Sequence, residues 1–238
     1  MSNPEIKVIF LDIDNTLLSF TGYVRQAMRE GFELFHLRPY DDSMYPVFER
    51  VNTSVWRRLE QGTLSYQELL KIRWKQIFEE LGIDGDGPAF EEYFRGQLFS
   101  SAILEPNAME LLEYLHGKYV LCVASNGPYA QQMNRLRLAG MDPYFDYFFV
   151  SEKIGASKPG KAFFDYCFNQ LHQERFPHLS PEEAMIIGDS LTSDIAGGRA
   201  YGMRTCFYCP GEGAEADHLE SDYVVKSLLD IKAFLYNA

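Results

Sequence analysis

Short runs of β-branched, aliphatic and aromatic residues recur along the chain, separated by longer stretches whose apolar positions return at helical intervals. The short runs are Lys7–Leu11, Tyr119–Ala124, Tyr147–Val150, Ala184–Ile187, Thr205–Tyr208 and Tyr223–Val225. Short buried strands with helices between them predict an α/β fold whose parallel sheet is covered on both faces. The spacing is uneven. The gap between the first run and the second far exceeds the dozen or so residues that a crossover needs.

That gap predicts an insertion, Phe20 to Ser101, with apolar residues at helical spacing and almost no strand signal. Helices are expected within Tyr23–Leu37, Tyr45–Leu59, Tyr66–Leu81 and Ala89–Phe99, with breaks at Gly62-Thr63 and Gly85-Asp86-Gly87-Pro88. Phe32, Phe35, Phe48, Trp56, Trp74 and Phe78 read as the core of a helical bundle. The division expected is therefore residues 1–19 with 102–238 as the α/β domain, and residues 20–101 as a helical one. The chain returns through Leu104-Glu105-Pro106-Asn107, where proline suits the first turn of a helix.

Composition narrows the function. With 238 residues and 46% hydrophobic content, the chain can bury a proper core. A formal net charge of −12 repels polyanions, which argues against a nucleic-acid polymer as partner. A small phosphorylated metabolite stays open, since a metal ion or one lysine reverses the field locally. No run approaches the length of a membrane span and the N-terminus lacks a secretory pattern, so a cytoplasmic location is expected. Cys122, Cys167, Cys206 and Cys209 are too sparse for a disulfide framework. The Cys206/Cys209 pair lacks partners at zinc spacing, and reduced, partly buried thiols are expected. The acidic segment Glu212–Asp222 reads as a solvated loop, and the five histidines form no metal-ligand pattern.

Ligands of open parallel sheets gather outside the carboxyl ends of the strands. Three strand ends carry chemistry: Asp12-Ile13-Asp14 after the first, Ser125-Asn126-Gly127 after the second, and Gly188-Asp189-Ser190, with Asp194 beyond, after the fourth. Gly155-Ala156-Ser157-Lys158-Pro159-Gly160 adds a lysine. Singly, each has a plain reading as a helix cap or a surface loop. Together they do not, because several hard oxygen donors at one sheet edge repel one another unless a cation sits among them.

In this order, Asp12-x-Asp14-x-Thr16, Ser125-Asn126-Gly127, Lys158-Pro159 and Gly188-Asp189-Ser190-x-x-x-Asp194 resemble the four signature motifs of the haloacid dehalogenase superfamily. The resemblance covers essentially the whole chain. It implies a doubly wound, Rossmann-like parallel sheet, with the insertion as the cap found in phosphatase branches.

The resemblance also implies roles. Asp12 would be the nucleophile and form an aspartyl-phosphate. Asp14 would protonate the leaving oxygen and then deprotonate the hydrolytic water. Mg²⁺ would be held by Asp12, the Asp14 carbonyl and Asp189, with Asp194 behind them. Ser125 and the amides of Asn126 and Gly127 would bind phosphoryl oxygens, and Lys158 would add charge and keep Asp12 ionised. A dehalogenase lacks the second aspartate, which favours phosphoryl transfer. The wording of the motifs is similar to 5′-nucleotidases acting on pyrimidine and non-standard nucleoside monophosphates. Phosphoglycolate-type or sugar-phosphate phosphatases and a mutase are the enzymatic alternatives. A phospho-accepting receiver is the non-enzymatic one, against which stand the chain length and the insertion.

Overall fold

The computed structural model describes residues 5–211 and 220–235. In chain order they form β1 (Val8–Leu11), α1 (Phe20–Leu34), α2 (Tyr45–Glu60), α3 (Tyr66–Leu81), α4 (Gly87–Phe99), α5 (Ala108–Leu115), β2 (Val120–Ser125), α6 (Tyr129–Leu138), β3 (Tyr147–Val150), α7 (Ser151–Ile154), α8 (Lys161–Glu174), β4 (Ala184–Gly188), α9 (Ala196–Tyr201), β5 (Arg204–Tyr208), β6 (Tyr223–Val225) and α10 (Ile231–Leu235). The chain divides into two compact units, Met1–Ser19 with Ala102–Ala238, and Phe20–Ser101.

In the first unit six parallel strands lie in the order β3-β2-β1-β4-β5-β6. Side chains alternate across a strand, so each predicted apolar run feeds two layers. Val8 and Phe10 join Cys122, Ala124 and Ile186 against Phe163, Phe164, Phe168 and Leu171 of α8. Ile9 and Leu11 join Leu121, Val123 and Ile187 against Leu111, Leu112 and Leu115 of α5 and Leu136 of α6. Burial on both faces explains why all four residues of β1 are apolar. The sheet order puts the end of β1 between the ends of β2 and β4, because Leu11 pairs with both Val123 and Ile187.

The second unit is helical. Trp74 on α3 is fully buried, with Phe90 at 4.3 Å, Phe94 at 5.2 Å, Phe48 at 5.5 Å and Phe78 at 5.6 Å between ring centroids. Phe35 and Trp56, expected in this core, are only half-buried. A Cβ on Gly87 would stand 2.7 Å from the Lys75 backbone nitrogen, so glycine is what lets α4 approach α3. The buried Arg73 guanidinium makes a two-pronged bond to Glu91, at 3.0 and 2.6 Å, and a third bond to Asn52 at 3.0 Å. Burial raises the Glu91 carboxyl and the Arg73 charge opposes it.

Other local expectations change, Gly87 and Pro88 opening α4 rather than breaking the chain before it. The first helix starts at Phe20 rather than Tyr23 and ends at Leu34 rather than Leu37. Pro106 precedes its helix rather than opening it, because Asn107 takes a left-handed φ of 65° at the N-cap of α5. Residues 212–219 of the acidic segment lie outside the described residues. Its end is not free solvated loop: the Asp222 carboxylate accepts the Thr205 N–H at 2.8 Å and its hydroxyl at 3.0 Å. Among the described residues no helix is long and apolar enough to cross a membrane.

Candidate active site

The Asp12 N–H donates to the Ile187 carbonyl at 3.0 Å, carrying the β1–β4 ladder one residue past the strand. The chain then turns back, with the N–H groups of Leu17 and Leu18 donating to the Ile13 carbonyl at 2.9 and 2.8 Å. Asn15 takes a left-handed φ of 56°, a conformation that asparagine tolerates. Ile13 is fully buried in the apolar layer. Its neighbours Asp12 and Asp14 instead enter two polar clusters, Asp12 with Lys158 and Asp14 with side chains of α6.

Lys158 is the hub of the first cluster. Its ammonium donates to Asp12 Oδ1 at 2.7 Å, Asp194 Oδ1 at 2.6 Å and the Ala124 carbonyl, so three acceptors meet three donors. Only 1% of the lysine is exposed. Burial disfavours its charge, but Asp12 and then Asp194 outweigh burial and raise its pKa. Asn126 fixes the loop that delivers it: the side-chain amide donates to the Lys158 carbonyl, and its oxygen accepts the Lys158 N–H, both at 2.9 Å.

Oxygens of Asp12, Asp189 and Asp194 lie within 4.8 Å of one another. Burial pushes the Asp12 carboxyl up to about 7. Lys158 opposes this, while Asp194 and Asp14 add to it. Asp189 rises well above the usual carboxylate range, through burial first and then through Asp12, Asp194 and Asp14. Three carboxylates against one lysine leave a surplus of negative charge at hard oxygen donors, which fits a small divalent cation. Asp194 is the least available of the three, because Lys158 takes Oδ1 and the Ser190 N–H donates to Oδ2 at 3.1 Å. Asp12 and Asp189 are therefore the carboxylates best placed to hold the ion.

Gly188 leaves room for this bracket. A Cβ there would stand 2.7 Å from that of Asp194 and overlap its carboxylate. Gly188→Ala is expected to displace Asp194, cost about 1–3 kcal/mol of stability and loosen Lys158. Urea unfolding together with turnover measurements tests this. An unchanged midpoint with unchanged turnover would contradict the bracket.

The second cluster forms on α6. The Asp14 carboxylate receives the Gln132 amide at Oδ2, 2.7 Å, and Arg135 Nη1 at Oδ1, 2.5 Å. Gln132 Nε2 also donates to Ser125 Oγ at 2.9 Å, and its oxygen accepts Arg135 Nη1 at 2.9 Å. The Gly127 N–H donates to Ser125 Oγ at 3.1 Å. Of the expected phosphate contacts, the Gly127 amide is thus directed at Ser125, and the Asn126 side chain at the lysine loop. Sequence reasoning passed over Gln132 and Arg135. Their signal is two polar residues at i and i+3 that share the core-facing stripe of α6 with Leu136, all of them fully buried.

All four cysteines are free, and among the described residues the group able to hold a metal is the aspartate cluster. The Cys206/Cys209 pair has no place in it. Burial raises the Cys206 thiol further.

Residues 6–202 match the model of the haloacid dehalogenase-like hydrolase family. Described as a HAD-hydrolase, YfnB of Bacillus subtilis is 32% identical over 94% of this chain and 93% of its own. A crystal structure of YfnB bound to magnesium, in which interdomain movement is described, superposes with a TM-score of 0.85, covering 98% of this chain and 99% of that one. Pyrimidine 5′-nucleotidase PynA of Streptococcus pneumoniae is 30% identical over 94% of this chain and 93% of its own. For pyrimidine 5′-nucleotidase YjjG of Escherichia coli the identity is 28%, over 95% and 96%. Sequence motifs, a site at the carboxyl edge of a six-stranded parallel sheet and full-length similarity agree: the chain belongs to the haloacid dehalogenase-like hydrolase family.

Proposed function

We propose that this protein is a phosphoric monoester hydrolase, a Mg²⁺-dependent phosphatase that works through an aspartyl-phosphate on Asp12 and prefers a nucleoside 5′-monophosphate. The observation that carries the reading is the cluster at the end of β1: Asp12 at 2.7 Å from a buried lysine, Asp189 alongside, and Asp14 two residues on.

In the first half-reaction an Asp12 oxygen attacks phosphorus in line, and the bond from phosphorus to the ester oxygen breaks. Lys158 holds Asp12 Oδ1, fixing the carboxylate and offsetting charge as the phosphoryl group arrives. Asp14 gives a proton to the departing alkoxide and takes one from the water that cleaves the acyl phosphate, returning Asp12 and releasing phosphate. Ser125 offers its hydroxyl to a phosphoryl oxygen. Asp12, Asp189 and the Asp14 carbonyl would hold Mg²⁺, which supplies neutralisation of the phosphoryl charge. Asp194 acts on Lys158 and Ser190 rather than on substrate.

Residues 20–101 serve as the cap and select the group that leaves. Support comes from their position, since the unit opens directly after the nucleophile loop, and from the names of PynA and YjjG. Where the chain leaves for this unit and returns from it, the Ser19 N–H donates to the Ile103 carbonyl at 2.7 Å. Binding remote parts of a substrate can raise the rate at the reacting centre.

A panel of phosphorylated metabolites tests the substrate. Pyrimidine 5′-monophosphates should exceed phosphoglycolate and sugar phosphates in kcat/KM by about tenfold or more, the scale of pocket discrimination, and 3′-monophosphates should be poor. Equal kcat/KM for nucleotides and phosphoglycolate would refute nucleotide selection. Conversion of a hexose 1-phosphate to its 6-phosphate would make the protein a mutase.

A further inference from the structure

Asp14 is held by two side chains that are themselves fully buried, although 33% of its own side chain is exposed to solvent. Water could satisfy such a carboxylate. Burying a guanidinium to do so costs desolvation and is weak grounds for stability, so the arrangement calls for another reason. The connectivity supplies one. Each Asp14 oxygen has its own donor, Arg135 Nη1 for Oδ1 and Gln132 Nε2 for Oδ2, which fixes the plane of the carboxylate as well as its place. Arg135 also donates to the Gln132 oxygen, which locks the orientation of that amide. The same Gln132 nitrogen donates to Ser125 Oγ. One amide therefore spaces the proton-transfer carboxylate from the hydroxyl that meets the phosphoryl group, and both donors sit one turn apart on α6.

We propose that Gln132 and Arg135 are positioning residues for proton transfer, holding Asp14 in register with a phosphoryl group bound at Ser125. This rests on the reading of Asp14 as the group that protonates the leaving oxygen. Neither residue touches the reacting atoms. They act by keeping the carboxylate where the ester oxygen departs, since small misplacements of a catalytic group cost rate steeply.

The leaving group provides a readout that a structural role would not move. An alkoxide needs a proton as it departs, whereas a nitrophenolate departs without one. Arg135→Met and Gln132→Met keep much of the side-chain volume and remove the donors. Each is expected to lower kcat/KM on a pyrimidine nucleoside 5′-monophosphate, an alkyl phosphate, by about 10²-fold, the scale of general acid catalysis. On 4-nitrophenyl phosphate kcat/KM should fall by less than about threefold, because it reports only the steps through transfer to Asp12 and that leaving group needs no acid, whereas kcat, which also contains hydrolysis of the acyl phosphate with Asp14 as base, should fall on both substrates. In an Asp14→Asn background, Arg135→Met should add nothing, since residues that act as a unit are not additive. Equal losses of kcat/KM on the two substrates in a variant with native thermal stability, or independent multiplication with Asp14→Asn, would overturn the proposal. If Arg135→Met does not fold, Gln132→Met decides alone by the same substrate ratio. If Asp14→Asn itself fails to separate alkyl from aryl phosphates, the assignment of Asp14 falls and the proposal falls with it. Loss of the separation only in the α6 variants leaves that assignment standing.

Discussion

Asp12→Asn is expected to fold, bind phosphate monoesters and lose turnover by about four orders of magnitude or more, as when a nucleophile acting in concert with its site is removed. The fold should survive because Lys158 keeps Asp194 and the Ala124 carbonyl, and an asparagine oxygen at position 12 still accepts from it though without charge. Stability follows from the sign of the shift. In the folded protein the Asp12 carboxyl stands at about 7, above its ordinary 3.8. The unfolded chain therefore ionises it first, and the group loses stability for the fold as pH rises through that window. At pH 8, without divalent cations, Asp12→Asn should thus melt no lower than the parent. Circular dichroism melting beside a phosphate-release assay measures both halves. A variant retaining a tenth of the activity would remove Asp12 from the nucleophile's role, and one that fails to fold at pH 8 would contradict the charge balance described for the cluster.

Exhaustive chelation is expected to abolish turnover, and Mg²⁺ to restore it. Asp12, Asp189 and Asp194 bring oxygens within 4.8 Å of one another with one lysine among them, so the phosphoryl group would enter a field of its own sign. Mg²⁺ suits a site with few protein carboxylates because it keeps several waters, while Ca²⁺, larger and looser, should bind and support little turnover. Binding also has a readout without catalysis. Mg²⁺ should raise the melting temperature of the protein by mass action, and Asp189→Asn should remove most of that rise. Full activity after chelation would rule out the metal-assisted mechanism.

The sheet was legible because its central strands β1, β2 and β4 are buried along their whole length, which forces continuous apolar runs. Each of the six runs read from sequence lies within a residue or so of a strand at either end. Asp12, Ser125 and Asp189 come together because parallel strands β1, β2 and β4 end at one edge, and the Asn126 clamp after β2 brings Lys158 to the same edge. Other parts of the site were not legible. Gln132 and Arg135 occupy an apolar stripe where composition predicts packing, and only the fold shows that Asp14 reaches them. Asn126 was read through its amide, yet its side chain turned out to clamp the Lys158 backbone, a contact between residues 32 apart in sequence. Pro106 misled because a left-handed Asn107, not the proline, opens α5. In residues 20–101 helical periodicity reports which positions face the bundle, as with Trp74 and Phe90. It carries no information about which outward side chains meet a substrate, and so the choice of substrate rests on similarity and on the panel.

The central claim is that a phosphoryl group is transferred to Asp12. An acyl phosphate can be reduced by borohydride, which converts the phosphorylated aspartate to homoserine, while a free carboxylate does not react. Enzyme quenched during turnover with Mg²⁺ and a nucleoside 5′-monophosphate, reduced and digested, should show homoserine at position 12 by mass spectrometry, and none without substrate. Steady phosphate release with unmodified aspartate at position 12 in every quench, or homoserine at Asp14 or Asp189 instead, would contradict the account.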